Sequence, residues 1–498
     1  MKHYKAIGFA GVTAALLLTL AVCLLPEQGR GRFHQHREAA PKAPCEREHA
    51  DGELCTHLPL LLLDTGGMEI PGMLNGERDG FGESLYTTAP DGGSTILARL
   101  AVIDDPERHN HPSDEPVLEL STELRVRGHS SRHFEKAPYL LKFRDEQGEN
   151  RDEPLLGMDA HHEWVLHGPY LDKSLIRNYM FYNLSGELME YAPNCRFCEL
   201  ILNGDYRGIY LAVETITAGR NCRLPLLMKA RDAQLTGYLL RVDRPTEAED
   251  RGPRDTDMFV ERSAIEQWDV SVRYPGQSRM TETLKRQIER DFSAFEKALY
   301  SFDFDSPRYG YRRFIDVDNF VDYYIINSLT SNQDAGSYST YLYRKLGDRC
   351  RLCVWDFNNC CDNYVDNETG PDLDPVRESV YFNMLFRSPD FVERVIRRYQ
   401  SLRRGVLSTE ALDAYIDETL AFLGSAVERD SARWADYIAG DPLLDPAGSG
   451  RNPHSQAEAV DMLRQNLHSR ARWLDGNIDY LRQYCAPSAT KTYQADPT

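Results

Sequence analysis

Asp334 and Asp356 bracket a short hairpin pattern, and no other spacing in the sequence carries as much chemical content. A helical pattern ends near Leu329, and "TSNQD" then sets Asp334 in a loop. Two strand patterns follow at 339–344 and 351–356 around a Gly347-Asp348 turn, and Asp356 closes the second one in "CVWDF". Helix, loop aspartate, hairpin, aspartate is the order used by phosphoryl-transfer sites of the protein-kinase type. There the first carboxylate orients the attacking hydroxyl and the second holds magnesium against nucleotide phosphates. Such transfer needs a held metal, neutralised phosphates and an aimed nucleophile more than it needs covalent chemistry. An aspartate after a buried strand also has a plain reading as the polar residue that ends it, so the pair alone leaves both readings open.

A second stretch, "RVRGHSSRHFEKAPYLLKF" at 125–143, reads as strand, turn, strand. The turn residues Gly128, Ser130 and Ser131 are small enough to bring backbone N–H groups close to phosphates, and Lys136 and Lys142 on the following strand can pair with them. An ordinary hairpin with solvated lysines has the same composition. No G-x-G-x-x-G, H-E-x-x-H or G-x-S-x-G pattern occurs. His109-x-His111 and His161-His162-Glu163 read as solvated loop clusters. Cys195-x-x-Cys198 and Cys350-x-x-Cys353 have zinc-knuckle spacing, but both adjoin strand-like sequence, where residues three apart face opposite sides. Disulfides are therefore favoured over unpaired thiols, and zinc is the least favoured.

The elements that must position these groups divide by half. Strand patterns at 58–63, 95–103, 117–126, 139–143, 198–202, 208–213 and 237–243 dominate the first half, with a hairpin turn at Asn203-Gly204. One helix is expected at 172–189, with Ile176, Met180, Leu184 and Leu188 in a stripe. From 281 the pattern is mainly helical, at 281–300, 316–329, 391–402, 409–431 and 456–481. This predicts an α+β protein with a sheet-rich N-terminal half and a helix-rich C-terminal half. The segments are 1–25, an apolar helix; 26–55, a linker; 56–260, a β-rich lobe; 261–485, a helical lobe; and 486–498, a frayed tail.

Across its 498 residues the chain carries a net charge of −19. Residues 1–44 hold six Lys/Arg against two Asp/Glu, a balance of +4, so the remainder carries −23. An acidic body is a poor match to nucleic-acid backbones. The uncharged run of 20 residues at 6–25, preceded by Lys2 and Lys5, is long enough to span a bilayer. It reads as a signal-anchor holding an extracytoplasmic body to the cell membrane, or as a cleaved signal that leaves a secreted protein. Eleven cysteines fit an oxidising compartment.

In order and spacing, the blocks at 125–143, 155–184, 198–216, 316–334 and 353–357 resemble the CotH kinase family, the spore-coat-protein-H group of atypical secretory-type protein kinases. The resemblance implies a two-lobed kinase-like fold that binds ATP with Mg2+ or Mn2+ and phosphorylates Ser or Thr of exported or coat proteins. Under it, Asp334 matches the catalytic-loop aspartate and Asp356 the metal-binding aspartate, with Asn358, or else Asn359 or Asp362, as a further metal ligand. Lys142, or else Lys136, matches the phosphate-contacting lysine, while Arg127, Ser130 and Ser131 belong to the loop over the phosphates. Glu214, Asp172 and Arg177 occupy motif positions of less defined role. Two positions depart from the pattern: members often have "WDFD" where Asn358 stands, and the second metal-ligand Asn of ordinary kinases is replaced by Ser339. Those departures favour a kinase-fold binding protein without catalysis as the alternative. Nucleotidyl transfer would use the same carboxylates.

Overall fold

Alternation of apolar and polar residues builds the first half. In a computed structural model of the chain, residues 31–487 are described except 44, 48–52, 79–83, 129, 220–222, 227–234, 244–268, 364–369 and 440–450. Seven strands, β1 (Leu60–Asp64), β2 (Ile96–Ile103), β3 (Leu118–Val126), β4 (Tyr139–Arg144), β5 (Glu163–His167), β6 (Cys195–Leu202) and β7 (Asp205–Glu214), close into a barrel. Their order is β1-β6-β7-β5-β4-β3-β2, with β2 returning to β1. Only β1 and β6 run parallel, with Leu60 opposite Glu199. Leu61, Leu63, Leu100, Leu124, Leu141, Phe143, Trp164 and Tyr210 fill the interior.

The period of two decides what lies outside. On β6 and β7, Cys198, Leu200, Tyr210 and Ala212 point into the barrel, while Cys195, Phe197, Ile209, Leu211 and Val213 belong to the large core of the second half. These two strands are buried on both faces and fix the barrel to the helices. On β3 to β5 the outward residues are Glu123, Arg125, Lys142 and Glu163, and they face a cleft instead.

Beside the barrel, a second sheet runs β9-β8-β10-β11, where β8 is Tyr238–Asp243, β9 Asp269–Tyr274, β10 Thr340–Arg344 and β11 Cys350–Cys353. All its pairings are antiparallel, and Leu240 lies opposite Leu342. Helix α1 (Arg177–Leu188) packs between barrel and second sheet. Among the described residues from 282 onward the longer helices are α2 (Glu282–Leu299), α3 (Val317–Leu329), α4 (Pro389–Leu402), α5 (Thr409–Leu423), α6 (Ser425–Arg433) and α7 (Gln456–Asn477).

The mixed α and β content and the division into a sheet-rich and a helix-rich half agree with the sequence reading. Several details differ from it. The expected single helix over 409–431 breaks at Gly424, whose φ of 47° and ψ of −130° no helix contains. A division at 260 is crossed by β8, which pairs with β10 a hundred residues on, because its alternating Leu240 and Val242 complete the apolar face of the later hairpin. The charged stretch 244–260 that suggested this boundary lies outside the described residues. So do the apolar run at 6–25 and most of the tail at 486–498. Among the described residues no helix is long and apolar enough to cross a membrane.

The stretch expected to be a linker is anchored where it is described. Arg32 donates to the Asn183 side chain at 2.8 Å and to the Ala192 carbonyl at 3.0 Å. Gln35 exchanges hydrogen bonds with the Phe197 backbone at 2.7 and 3.2 Å, and His34 meets Tyr415 and Glu187. The favoured disulfides are not formed: the nine cysteines of the described residues are all free thiols. Cys195 and Cys198 point into different cores, as do Cys350 and Cys353, so neither pair can meet or share an ion.

Candidate functional site

The outer face of β3–β4–β5–β7, α1, the second sheet and two loops enclose a cleft of about 610 Å³. Asp334, Asp356, Asn358, Lys142, Arg127 and Ser131 all line it. The two aspartates thus converge on one cavity although a hairpin separates them in sequence.

Asp356 is not a strand terminator. β11 stops at Cys353, and Asp356 lies beyond it with φ of 59°, a left-handed conformation that Asp tolerates. Its Oδ1 accepts from the Asn358 amide at 3.0 Å, which closes the turn. Three distant side chains hold this loop. The Asp356 N–H donates to Tyr182 Oη at 3.1 Å, the Phe357 N–H donates to Asn178 Oδ1 at 2.7 Å, and Asn332 Nδ2 donates to the Asp356 carbonyl at 3.0 Å. Phe357 packs on Phe181 with ring centroids 5.3 Å apart. Asn178, Phe181 and Tyr182 sit three and four residues apart on α1, so one helix face cradles the loop.

Burial raises the Asp356 carboxyl to about 6; the Asn358 amide pulls the other way, and the Asp334 and Asp243 carboxylates add to the rise. Arg127 is the neighbouring cation and offsets only part of this rise, so a desolvated carboxylate facing two others suits a further bound cation. Asn359 supplies a second sign. Its Nδ2 donates to Asp334 Oδ2 at 3.2 Å, while its Oδ1 is buried without a hydrogen-bond partner. Oxygen donors of this kind fit a hard divalent ion such as Mg2+ or Mn2+. Asn358 fits less well, because its amide oxygen already accepts from Asn178 Nδ2 at 3.1 Å.

Basic groups also line the cleft. Lys142 stands between Glu123 and Glu163 in the strand register and pairs with Glu163 at 3.5 Å. The Arg127 guanidinium lies 5.5 Å from the centroid of the Trp355 ring. Arg125, Arg241 and Arg273 also reach the cleft. Cations and carboxylates lining one cavity suit a metal-bound polyphosphate, for which the cations neutralise phosphate and the carboxylates hold the ion. Sequence reasoning missed Arg125, Arg241, Asp243, Arg273, His167 and Asn178. The outward period of β3 was a usable signal for Arg125 alone; the others depend on pairings distant in the chain.

Lys136, Arg177 and Glu214 lie elsewhere. Lys136 is buried away from the cleft, where its ammonium pairs with Asp430 at 2.5 Å. It follows the turn and precedes β4, so the outward period that aims Lys142 does not apply to it. Arg177 is buried too: it binds Asp172 at 2.6 Å and donates to the Cys360 carbonyl at 3.2 Å, which props the loop from behind. Glu214 is fully buried and accepts from the Asn194 backbone and side chain at 2.9 and 3.0 Å. None of these three lines the cleft. Ser131 Oγ donates to the Arg127 carbonyl at 3.3 Å and steadies the turn. Ser130 opens the turn Ser130–His133, and its side chain lies outside the described residues.

A barrel joined to a helical body, with carboxylates and cations lining one cleft, defines the class as a mixed α and β protein with a charged cleft. The chain belongs to the CotH kinase protein family, whose model matches residues 124–474. No curated protein matches the chain.

Proposed function

We propose that the protein is a metal-dependent kinase that transfers the γ-phosphoryl group of ATP to a serine or threonine hydroxyl of a protein, with barrel and helical body acting as the two lobes around the nucleotide. The observation that carries this reading is the convergence of Asp334 and the desolvated Asp356 on one cleft that basic side chains also line. Asp356 and Asn359 would hold Mg2+ or Mn2+, which when bound would neutralise charge on the phosphates. Lys142, kept in place by Glu163, and Arg127 neutralise phosphate oxygens. Asp334 accepts the proton of the attacking hydroxyl, and the Asn359 amide fixes the orientation of its carboxylate. Asn178 and Tyr182 set the position of Asp356 through the backbone of its loop.

The substrate side of the reading comes from the sequence. The apolar run at 6–25 places the acidic body outside the cytoplasm, on the membrane or released from it, so the target is an exported or coat protein. Transfer of radiolabelled γ-phosphate to a serine- or threonine-bearing protein, with Mn2+ or Mg2+ present, tests the reaction. Wild type labels the substrate, and Asp334→Asn binds nucleotide but labels about 10²–10⁴-fold more slowly. Label from the α-phosphate instead would establish nucleotidyl transfer and overturn the proposal.

A further inference from the structure

Away from the cleft, two cysteines and two histidines from opposite strands of chain come together. Cys45 and Cys55 flank the entry to β1, and His109 and His111 lie in the connection from β2 to β3. Backbone pairing holds the two segments in register. Ala43 bridges Arg108, and Thr56 and Asn110 exchange N–H···O bonds of 3.1 and 2.7 Å. The ligand atoms of Cys45, Cys55 and His111 all lie within 4.8 Å of one another. Cys45 Sγ is 3.5 Å from His111 Nε2, and Cys55 Sγ is 3.3 Å from His109 Nδ1. With Zn–S near 2.3 Å and Zn–N near 2.05 Å, a tetrahedral ion separates neighbouring sulfur and nitrogen ligands by roughly 3.6 Å. Both contacts match that edge.

The orientation of His111 is an independent sign. Its Nδ1 is held by Asp114 Oδ2 at 2.9 Å, and Asp114 is itself held by Arg47 at 3.0 Å. That leaves Nε2 as the lone-pair nitrogen facing the sulfurs, the carboxylate–histidine arrangement common to zinc ligands. His111 is buried, whereas a solvated loop histidine, the reading its sequence invites, would not be.

We propose that Cys45, Cys55 and His111 form a zinc site, and that His109, which touches Cys55 but lies outside the three-residue cluster, turns in as the fourth ligand when the ion binds. Four protein ligands leave no open position, so the ion is structural: it clamps the segment before β1 onto the barrel. The site lies wholly N-terminal to the matched segment 124–474 and adds to the phosphoryl-transfer reading without depending on it.

The test uses the full chain, purified without chelator and analysed for metal by mass spectrometry. The expected result is one zinc per chain, lost in Cys55→Ser and in His111→Ala, and Asp114→Ala binding zinc about 10- to 100-fold more weakly in competition with a chromophoric chelator. Replacing zinc by Co2+ in the wild type should give the visible d–d bands of tetrahedral thiolate coordination, a readout that needs no variant to fold. Cys45 and Cys55 should resist alkylation until zinc is removed. A Cys45–Cys55 cross-linked peptide in an unreduced digest, or wild type that takes up neither Zn2+ nor Co2+, would overturn the proposal.

Discussion

At the residue scale, the decisive distinction is which side chains retain an uncommitted polar atom. Asn358 and Asn359 are adjacent and chemically identical, yet Asn178 occupies one amide oxygen and leaves the other orphaned. The sequence offers no means of telling them apart, because Asn178 lies 180 positions from Asn358. Lys136 and Lys142 pose the same problem: the partner that removes Lys136 from consideration is 294 positions away. Asp334, Asp356 and Lys142 were legible because residue type and place after or within a strand sufficed. Asn359→Ala should weaken metal-dependent nucleotide binding by roughly 1.5–3 kcal/mol, the range for a polar contact with a charged partner. Calorimetric titration of Mn2+ and ATP checks this. Unchanged affinity would remove Asn359 from the metal site.

At the element scale, the two loops bearing the aspartates depend on the elements behind them. The Asp334 loop turns at Gly336, with φ of 84°, and a Cβ there would lie 2.4 Å from Ser379 Oγ and 2.8 Å from Ser379 Cβ. Its N–H donates to Thr340 Oγ1 at 2.8 Å and ties the loop to β10. Gly336→Ala should therefore cost about 1–2 kcal/mol for the left-handed backbone alone, with the Ser379 clash added to it. Phosphoryl transfer should fall further than nucleotide binding does, since Asp334 moves and Asp356 does not; thermal melts and paired binding and turnover assays check both.

The Lys136–Asp430 pair fastens the barrel to α6. Asp430 Oδ1 also accepts from the Ile209 N–H at 2.8 Å. Removing one partner leaves a buried charge alone, so Lys136→Met should lower stability by roughly 3–5 kcal/mol. Nucleotide affinity of the folded fraction should be unchanged, since Lys136 is outside the cleft, and chemical denaturation with binding at low temperature measures both. Strand and helix positions were largely legible from periodicity. Barrel closure was not, because the parallel β1–β6 pairing joins segments far apart in sequence and leaves no local signature.

At the scale of the whole molecule, the fold holds three histidines neutral. Burial, with Arg37, Arg223 and Arg127 as the respective neighbouring cations, lowers His36 to about 3 and His161 and His167 to about 4. Between pH 6.5 and 4 the unfolded chain binds these protons and the folded one does not, so stability is present above pH 6.5 and is lost as pH falls toward 4. Down to pH 4.5 each group contributes at most about 3 kcal/mol. Asp356, raised to about 6, acts in the opposite sense and offsets roughly one of the three. The urea midpoint should therefore fall between pH 7 and pH 4.5; a midpoint that held or rose would contradict the burial of these rings. The same scale shows why residues 31–39 read as a linker: their short, polar, Arg- and His-rich sequence hides contacts made one by one to Asn183, Phe197 and Tyr415.

The central claim, that Asp356 holds a metal-bound nucleotide in the cleft, is tested most directly by calorimetry of ATP binding to wild type and to Asp356→Ala, with Mg2+ or Mn2+ and without either. The account predicts metal-dependent binding in the wild type that disappears in the variant, while the variant retains its melting behaviour. Absence of binding by a folded wild type with both metals, or equal binding by the variant, would contradict it.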